Sequence, residues 1–117
     1  MPKFENKIVN GNSIELLKKI PDKTFNLIFA DPPYNLQIGK ELKRPDDSKV
    51  NGVFDEWDYF KNFKHYDDFS KSWLTECKRI LKDNGSIWVI GSYHNIFRLG
   101  YHVQNLDYWI LNDVIWR

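Results

Sequence analysis

Cysteine is almost missing from this chain. Cys77 stands alone among 117 residues, which excludes an internal disulfide framework and any cysteine-based zinc cluster. On the apolar face of a predicted helix it reads as a buried thiol. The six glycines are scattered, so there is no Gly-rich loop of the phosphate- or cofactor-binding kind. No signal peptide is evident, and no apolar run is long enough to span a membrane. Charge of either sign is barely in excess. Seventeen Lys and Arg against sixteen Asp and Glu leave +1, which is no electrostatic footprint for nucleic acid. That counts against a self-sufficient DNA binder, because phosphate contacts supply most non-specific affinity. A soluble protein of a reducing compartment follows.

What is present is apolar and aromatic. A hydrophobic content of 42% with 16% aromatics supports a real core, and the length allows one domain, small for an α/β enzyme. Lys7–Asn10 reads as a short strand closed by the Asn10-Gly11-Asn12 turn. Ser13 caps a short helix over 13–20 with Leu16, Leu17 and Ile20 as its stripe. Tyr66, Phe69, Trp73, Cys77, Ile80 and Leu81 fall at helical spacing and predict a helix over 66–82, ended at Gly85 by a left-handed cap. Ser86–Ile90 is a second buried strand, 95–105 another helix, and 108–116 a final strand with Trp109, Leu111, Val114 and Trp116. Strands alternating with helices predict an α/β fold, a mainly parallel sheet with covering helices.

Residues 35–65 carry no sustained period. A loop of that length in a compact domain is often a lid or binding loop, and its place directly after the strand described next favours a mobile lid over a disordered insertion. Lys40, Lys43 and Arg44 within it could reach phosphates, although a local charge run is commonly a solvated face.

The chain is organised around Asn26-Leu27-Ile28-Phe29-Ala30-Asp31-Pro32-Pro33-Tyr34. The continuous apolar run predicts a short buried strand. Pro32 and Pro33 cannot donate to a ladder, so the strand ends there, and they narrow the directions their neighbours' carbonyls can take. A carboxylate, stiff carbonyls and a ring are thereby held at the C-terminal end of a strand, the edge where open α/β sheets bind ligands. Such a group suits methylation of an exocyclic amine on a nucleobase. The lone pair of that nitrogen is delocalised into the ring. Two acceptors aimed at its hydrogens, the Asp31 carboxylate and the Pro32 carbonyl, draw the lone pair out of conjugation. Tyr34 offers a face for a base extruded from its duplex. The bland alternative is a strand ended by a proline turn with a solvated Asp. The loop at Ser92, Tyr93, His94 and Asn95 reaches the same sheet edge and could contact the base or its strand. His94 is given no proton-transfer role.

With these segments in hand, the chain resembles the N-terminal part of a β-class DNA adenine-N6 methyltransferase, of the cell-cycle-regulated group that methylates GANTC. The resemblance rests on Asp31-Pro32-Pro33-Tyr34-Asn35-Leu36-Gln37, Trp57-Asp58, Trp73-Leu74, the run Asn84–Arg98 and Leu111–Arg117. It implies a partial Rossmann-like methyltransferase sheet, S-adenosylmethionine as donor, and a double-stranded DNA partner whose target adenine is flipped. Asp31, Pro32, Pro33 and Tyr34 would form the catalytic set, and Asn35, Lys40, Lys43, Arg44, Ser92, Tyr93, His94 and Asn95 the DNA-facing set. Where the family often has an acid in the first turn, this chain has Asn12, so only a hydrogen bond to the cofactor carries over, with Asp31 nearby. The family's Phe-x-Gly-x-Gly cofactor motif, target-recognition region and C-terminal extension have no counterpart in residues 1–117. The expectation is therefore a catalytic half-site, inactive or incomplete alone, in the nucleoid-associated cytoplasm of a bacterium.

Alternatives stay open. Cytosine-N4 methylation is the nearest chemical rival, and Asp rather than Ser before the prolines favours adenine. A non-catalytic or split-partner half is another, which an exposed apolar sheet edge or a homodimer would favour. RNA or protein-amide methylation through a related Asn-Pro-Pro-Tyr motif is a third, opposed by Asp31.

Overall fold

The computed structural model describes residues 4–36 and 60–117, together with the backbone pairing of 42–43 with 49–50. In chain order the elements are α1 (Ser13–Leu17), β1 (Phe25–Ala30), β2 (Leu42–Lys43), β3 (Lys49–Val50), α2 (Phe63–Ile80), β4 (Leu81–Val89) and α3 (Ile96–Asn105). β1 and β4 pair in parallel, and β2 and β3 form a short antiparallel pair. The crossover between the parallel strands runs through α2, because parallel neighbours cannot be joined by a tight turn. The fold is thus a small α/β arrangement with helices against a two-stranded parallel sheet.

α2 is the central helix. Its stripe of Tyr66, Ser70, Trp73, Leu74, Cys77 and Ile80 is buried, as spacings of three and four dictate for one helical face. The helix begins three residues earlier than the apolar spacing predicts, because the side-chain oxygen of Asn62 accepts from the backbone N–H of His65 at 2.8 Å and caps it. Lys64 and Asp68 pair one turn apart at 2.7 Å, and Lys78 and Arg79 sit in the last turn, where cations meet the negative end of the helix dipole.

Arg79 ties α1 to α2. Its Nη1 donates to the carbonyl of Ile20 at 2.8 Å and to Asp22 Oδ1 at 2.7 Å, and its Nη2 donates to the carbonyl of Leu17 at 2.9 Å. The fork thereby gathers two carbonyls at the end of the short helix, that of Leu17 accepting from the N–H of Ile20 at 3.0 Å as well. At the other end, Asn12 rather than Ser13 is the cap, accepting from the N–H of Glu15 at 3.2 Å. α1 closes at Leu17, earlier than the predicted Ile20.

Trp73, Leu74, Cys77 and Leu99 form the core, with Ile28, Ala30, Ile87 and Val89 of the sheet packed on it. Those four strand residues share one face. On the other face Leu27, Phe29 and Trp88 are 58, 68 and 51% exposed. The two strands, expected to be buried, are therefore covered on one side only among the described residues. α3 is secured at its end by Tyr108, whose hydroxyl donates to the carbonyl of Leu74 at 2.6 Å, and by the Lys78 ammonium, which donates to the carbonyl of Leu106.

Two further expectations are corrected. Residues 7–10 and 108–116 form no strand: Ile8, Trp109 and Trp116 are almost fully exposed, and a strand without a neighbour or a covering layer has nothing to hold it flat. Gly85 does not cap a helix in left-handed geometry. It lies inside β4, where a Cβ would stand 2.9 Å from the carbonyl oxygen of Lys82 and 3.2 Å from that of Asn26. Close backbone approach is the reason for glycine there. Phe25 pairs with Leu81 but Leu27 with Ser86, so Lys82–Gly85 bulge out of the ladder. Within residues 35–65 the described elements are the β2–β3 pair and the first turn of α2, and the lid expected there lies for the rest outside the described residues.

Candidate functional site

Because β1 and β4 run in parallel, their C-terminal ends lie side by side. The N–H of Ile90 donates to the carbonyl of Ala30 at 2.9 Å, the last rung before the prolines. The chain leaves β1 through Asp31, which is exposed, and the half-buried Pro32, Pro33 and Tyr34. Asn35 then adopts a positive φ of 58°, a conformation asparagine tolerates better than most side chains. The loop after β4 turns over Ser92 into α3, with the Ser92 carbonyl accepting from the N–H of Ile96 at 2.9 Å. The tetrapeptide and the 91–95 loop, expected to converge at one sheet edge, do so.

Two contacts define the geometry of the tetrapeptide, one inside it and one behind it. The Tyr34 hydroxyl donates to Asp31 Oδ1 at 2.7 Å, so the ring and the carboxylate are held as one unit and Oδ2 is the carboxylate's other acceptor. That hydrogen bond, some burial and the Asp31 charge push the Tyr34 phenol up to about 12. Site-specific carbon NMR of the Tyr34 ring should therefore show titration near pH 12, returning toward the ordinary 10 in Asp31→Asn. An ordinary value in the wild type would contradict the contact. The stabilisation from this bond is complete below pH 10 and is lost as pH rises through the folded value, since the folded pKa is the raised one.

The second contact lies behind the turn. The hydroxyl of Tyr66 on α2 donates to the carbonyl of Pro33 at 2.9 Å. Asn95 Nδ2 donates to the Tyr66 oxygen at 3.0 Å, and Asn95 Oδ1 accepts from the N–H of Ser92 at 2.8 Å. Spacing alone assigned Tyr66 to the apolar stripe of α2, and its hydroxyl role went unforeseen. No local signal marks it, because its partners lie 33 and 29 residues away.

The DNA-facing candidates divide. Tyr93 is 91% exposed and His94 is exposed beside it, whereas Ser92 is half-buried, its hydroxyl accepting from the N–H of His94 at 3.2 Å. Asn95 is 1% exposed and Asn35 7%. Asn95 thus spends its amide inside the protein instead of presenting it to a duplex, and Asn35 lies within the turn. Lys40 and Arg44 lie outside the described residues, and of Lys43 only its backbone pairing with Lys49 is described.

A cluster that the sequence reading missed flanks the site. Arg98 Nε and Nη2 donate to the two carboxylate oxygens of Asp67 at 2.9 and 3.0 Å, and the guanidinium stacks over Phe63 at 4.1 Å. His102 Nε2 lies 3.2 Å from Asp67 Oδ1 without a directed hydrogen bond. Partial burial works against the Asp67 charge, and Arg98 and His102 outweigh it, holding the carboxyl below its ordinary value. Cys77, by contrast, is buried and its thiol is pushed up to about 11, which makes it unreactive near neutrality.

The resemblance places Asn12 and Asp31 near the methyl donor. The side-chain oxygen of Asn12 is taken by the α1 cap. Two shallow concavities, one along Asp67, Phe97 and Arg98 and one along Ile14, Lys18 and Lys71, are lined by neither Asp31 nor Asn12. Among the described residues, neither concavity brings Asn12 and Asp31 together.

A carboxylate and a ring are thus locked together at the end of a parallel strand, on a turn anchored from behind, and the N6/N4-type DNA methylase family model matches residues 25–117, which include them. The chain belongs to that family. Among curated relatives it is similar to the Type II methyltransferase M.HinfI of Haemophilus influenzae, 58% identical over 113 residues, and to the Type II methyltransferase M2.LlaDCHI of Lactococcus lactis subsp. cremoris, 37% identical over 110. The matches cover 97 and 94% of this chain but 32 and 40% of the relatives. No helix among the described residues is long and apolar enough to cross a membrane.

Proposed function

We propose that this chain carries the methyl-acceptor half of a site-specific DNA adenine-N6 methyltransferase of a restriction-modification type, acting on GANTC in double-stranded DNA with S-adenosylmethionine as donor. The observation that carries the reading is the Asp31 carboxylate fixed against the Tyr34 ring at the open end of β1. Asp31 accepts one hydrogen of the flipped adenine's amine, and the Pro32 carbonyl accepts the other. The nitrogen lone pair then stands out of the ring plane, where the new N–C bond would form as the donor's S–CH3 bond breaks and its sulfur keeps the electron pair as a neutral thioether. The amine proton released afterwards needs only a weak acceptor, which the carboxylate supplies. Tyr34 stacks on the base, while Ser92, Tyr93 and His94 face the duplex and Lys40, Lys43 and Arg44 its phosphates. Asp rather than Ser at the head of the motif favours adenine over cytosine. The open sheet face at Leu27, Phe29 and Trp88 agrees with a larger Rossmann-like sheet whose remaining layers lie elsewhere in the protein, or with a homodimer. The setting proposed is the bacterial cytoplasm, at the nucleoid.

The test is a chimera in which this chain replaces the matching 113 residues of the Haemophilus relative. DNA methylated by it is digested and the modified nucleoside identified. N6-methyldeoxyadenosine is the expected product. N4-methyldeoxycytidine would overturn the assignment to adenine.

A further inference from the structure

We propose that Tyr66 and Asn95 are positioning residues, a buried relay that holds the Asp31–Tyr34 turn in the geometry methyl transfer requires. The inference rests on the proposed function and deepens it. Its basis is a continuous line of hydrogen bonds. The Ser92 N–H donates to Asn95 Oδ1, Asn95 Nδ2 donates to the Tyr66 oxygen, and the Tyr66 hydroxyl donates to the Pro33 carbonyl. Tyr66 and Asn95 are 0 and 1% exposed, so no water competes for these groups and each is costly to leave unpaired.

The anchored atom is well placed. The ring of Pro33 fixes its own φ, so the peptide plane that carries the Pro32 carbonyl is locked to the Pro33 frame. Pinning the Pro33 carbonyl leaves one rotatable bond between the anchor and the Pro32 carbonyl. The same carbonyl belongs to the peptide plane that launches Tyr34, whose hydroxyl in turn holds Asp31. One hydroxyl behind the turn thereby restrains both amine acceptors and the stacking ring. The relay also joins the turn to the first residues after β4, so the two loops at this sheet edge keep a fixed spacing. Packing around Tyr66 comes from its ring, which meets Phe60 edge-on at 4.8 Å, and that contact survives loss of the hydroxyl.

Tyr66→Phe separates the two roles. In the chimera, kcat should fall about tenfold, the scale of one buried hydrogen bond, with KM for DNA changed less than about threefold. The Asn95 amide, 3.5 Å from the Pro33 carbonyl, offers partial compensation, so complete loss is not expected. Unchanged kcat, or a rise in KM alone, would overturn the proposal. A second measurement needs no activity. In the chain itself, carbonyl and amide resonances of Pro33 and Tyr34 should move in Tyr66→Phe while those of Leu74 and Leu99 stay. Unmoved Pro33 and Tyr34 resonances would overturn the relay. If instead the resonances move as expected and the wild-type chimera transfers no methyl group, the functional reading fails and the relay stands as structure only.

Discussion

Replacing Asp31 by alanine should lower methyl transfer by the chimera by roughly a hundredfold or more, the usual cost of removing a preorganised group aimed at developing charge. Asp31 is exposed and carries no part of the core, so the fold should be unchanged in circular dichroism and unfolding midpoint. Asp31→Asn should be almost as damaging, for a different reason. It keeps one acceptor oxygen but places an NH2 group where the amine's hydrogens must point. Two consequences distinguish this account from a general weakening of the site. Tyr34 should lose its raised titration in both variants, because its hydrogen-bond partner is gone or altered. Affinity for DNA should change far less than turnover, because the carboxylate engages the amine and not the phosphates. Activity within a few-fold of wild type would remove Asp31 from the mechanism.

Leu74→Ala should destabilise the chain by about 2–5 kcal/mol, the range for truncating a fully buried leucine. Leu74 is completely buried, midway along α2, in the cluster where α2 meets α3 and the sheet. The site depends on the same helix, since Tyr66 and Asp67 lie two turns upstream of it. A small domain holds only a modest reserve of stability, so this loss should lower the unfolding midpoint in urea steeply. It should also blunt the packing that brings Tyr66 to Pro33. Tryptophan fluorescence follows the transition, and a shift smaller than that of an exposed-site control such as Lys71→Ala would contradict the placement of the core.

The parts of this architecture that were legible in sequence are those with local causes. Pro32 and Pro33 end β1 by their own covalent structure, so the position of Asp31 at a strand terminus followed without tertiary information. The stripe from Tyr66 to Ile80 announced α2 through its period. Other features had two physical readings that only packing could separate. Gly85 after a helix suggested a left-handed cap, yet the backbone of Asn26 and Lys82 crowds its Cβ position instead. Asn95 on a loop at the sheet edge suggested a DNA contact, and it is a buried link between α3 and α2. Residues 108–116 have a strand's composition, but a strand is a property of a pair, and no partner stands beside them among the described residues. The relay through Tyr66 was invisible for the same reason. Its members are ordinary residues until the fold brings Pro33 within reach.

The central claim is that Asp31 and the turn around it hold the exocyclic amine of an adenine. The most direct measurement gives the chimera, with labelled S-adenosylmethionine, two duplexes that differ only at the target. One carries GANTC, and the other has purine, which lacks the amine, in place of both target adenines. Label should enter the first duplex and stay at background in the second. Equal labelling of both would show that the methyl group goes elsewhere and that the Asp31 site does not do what its geometry implies.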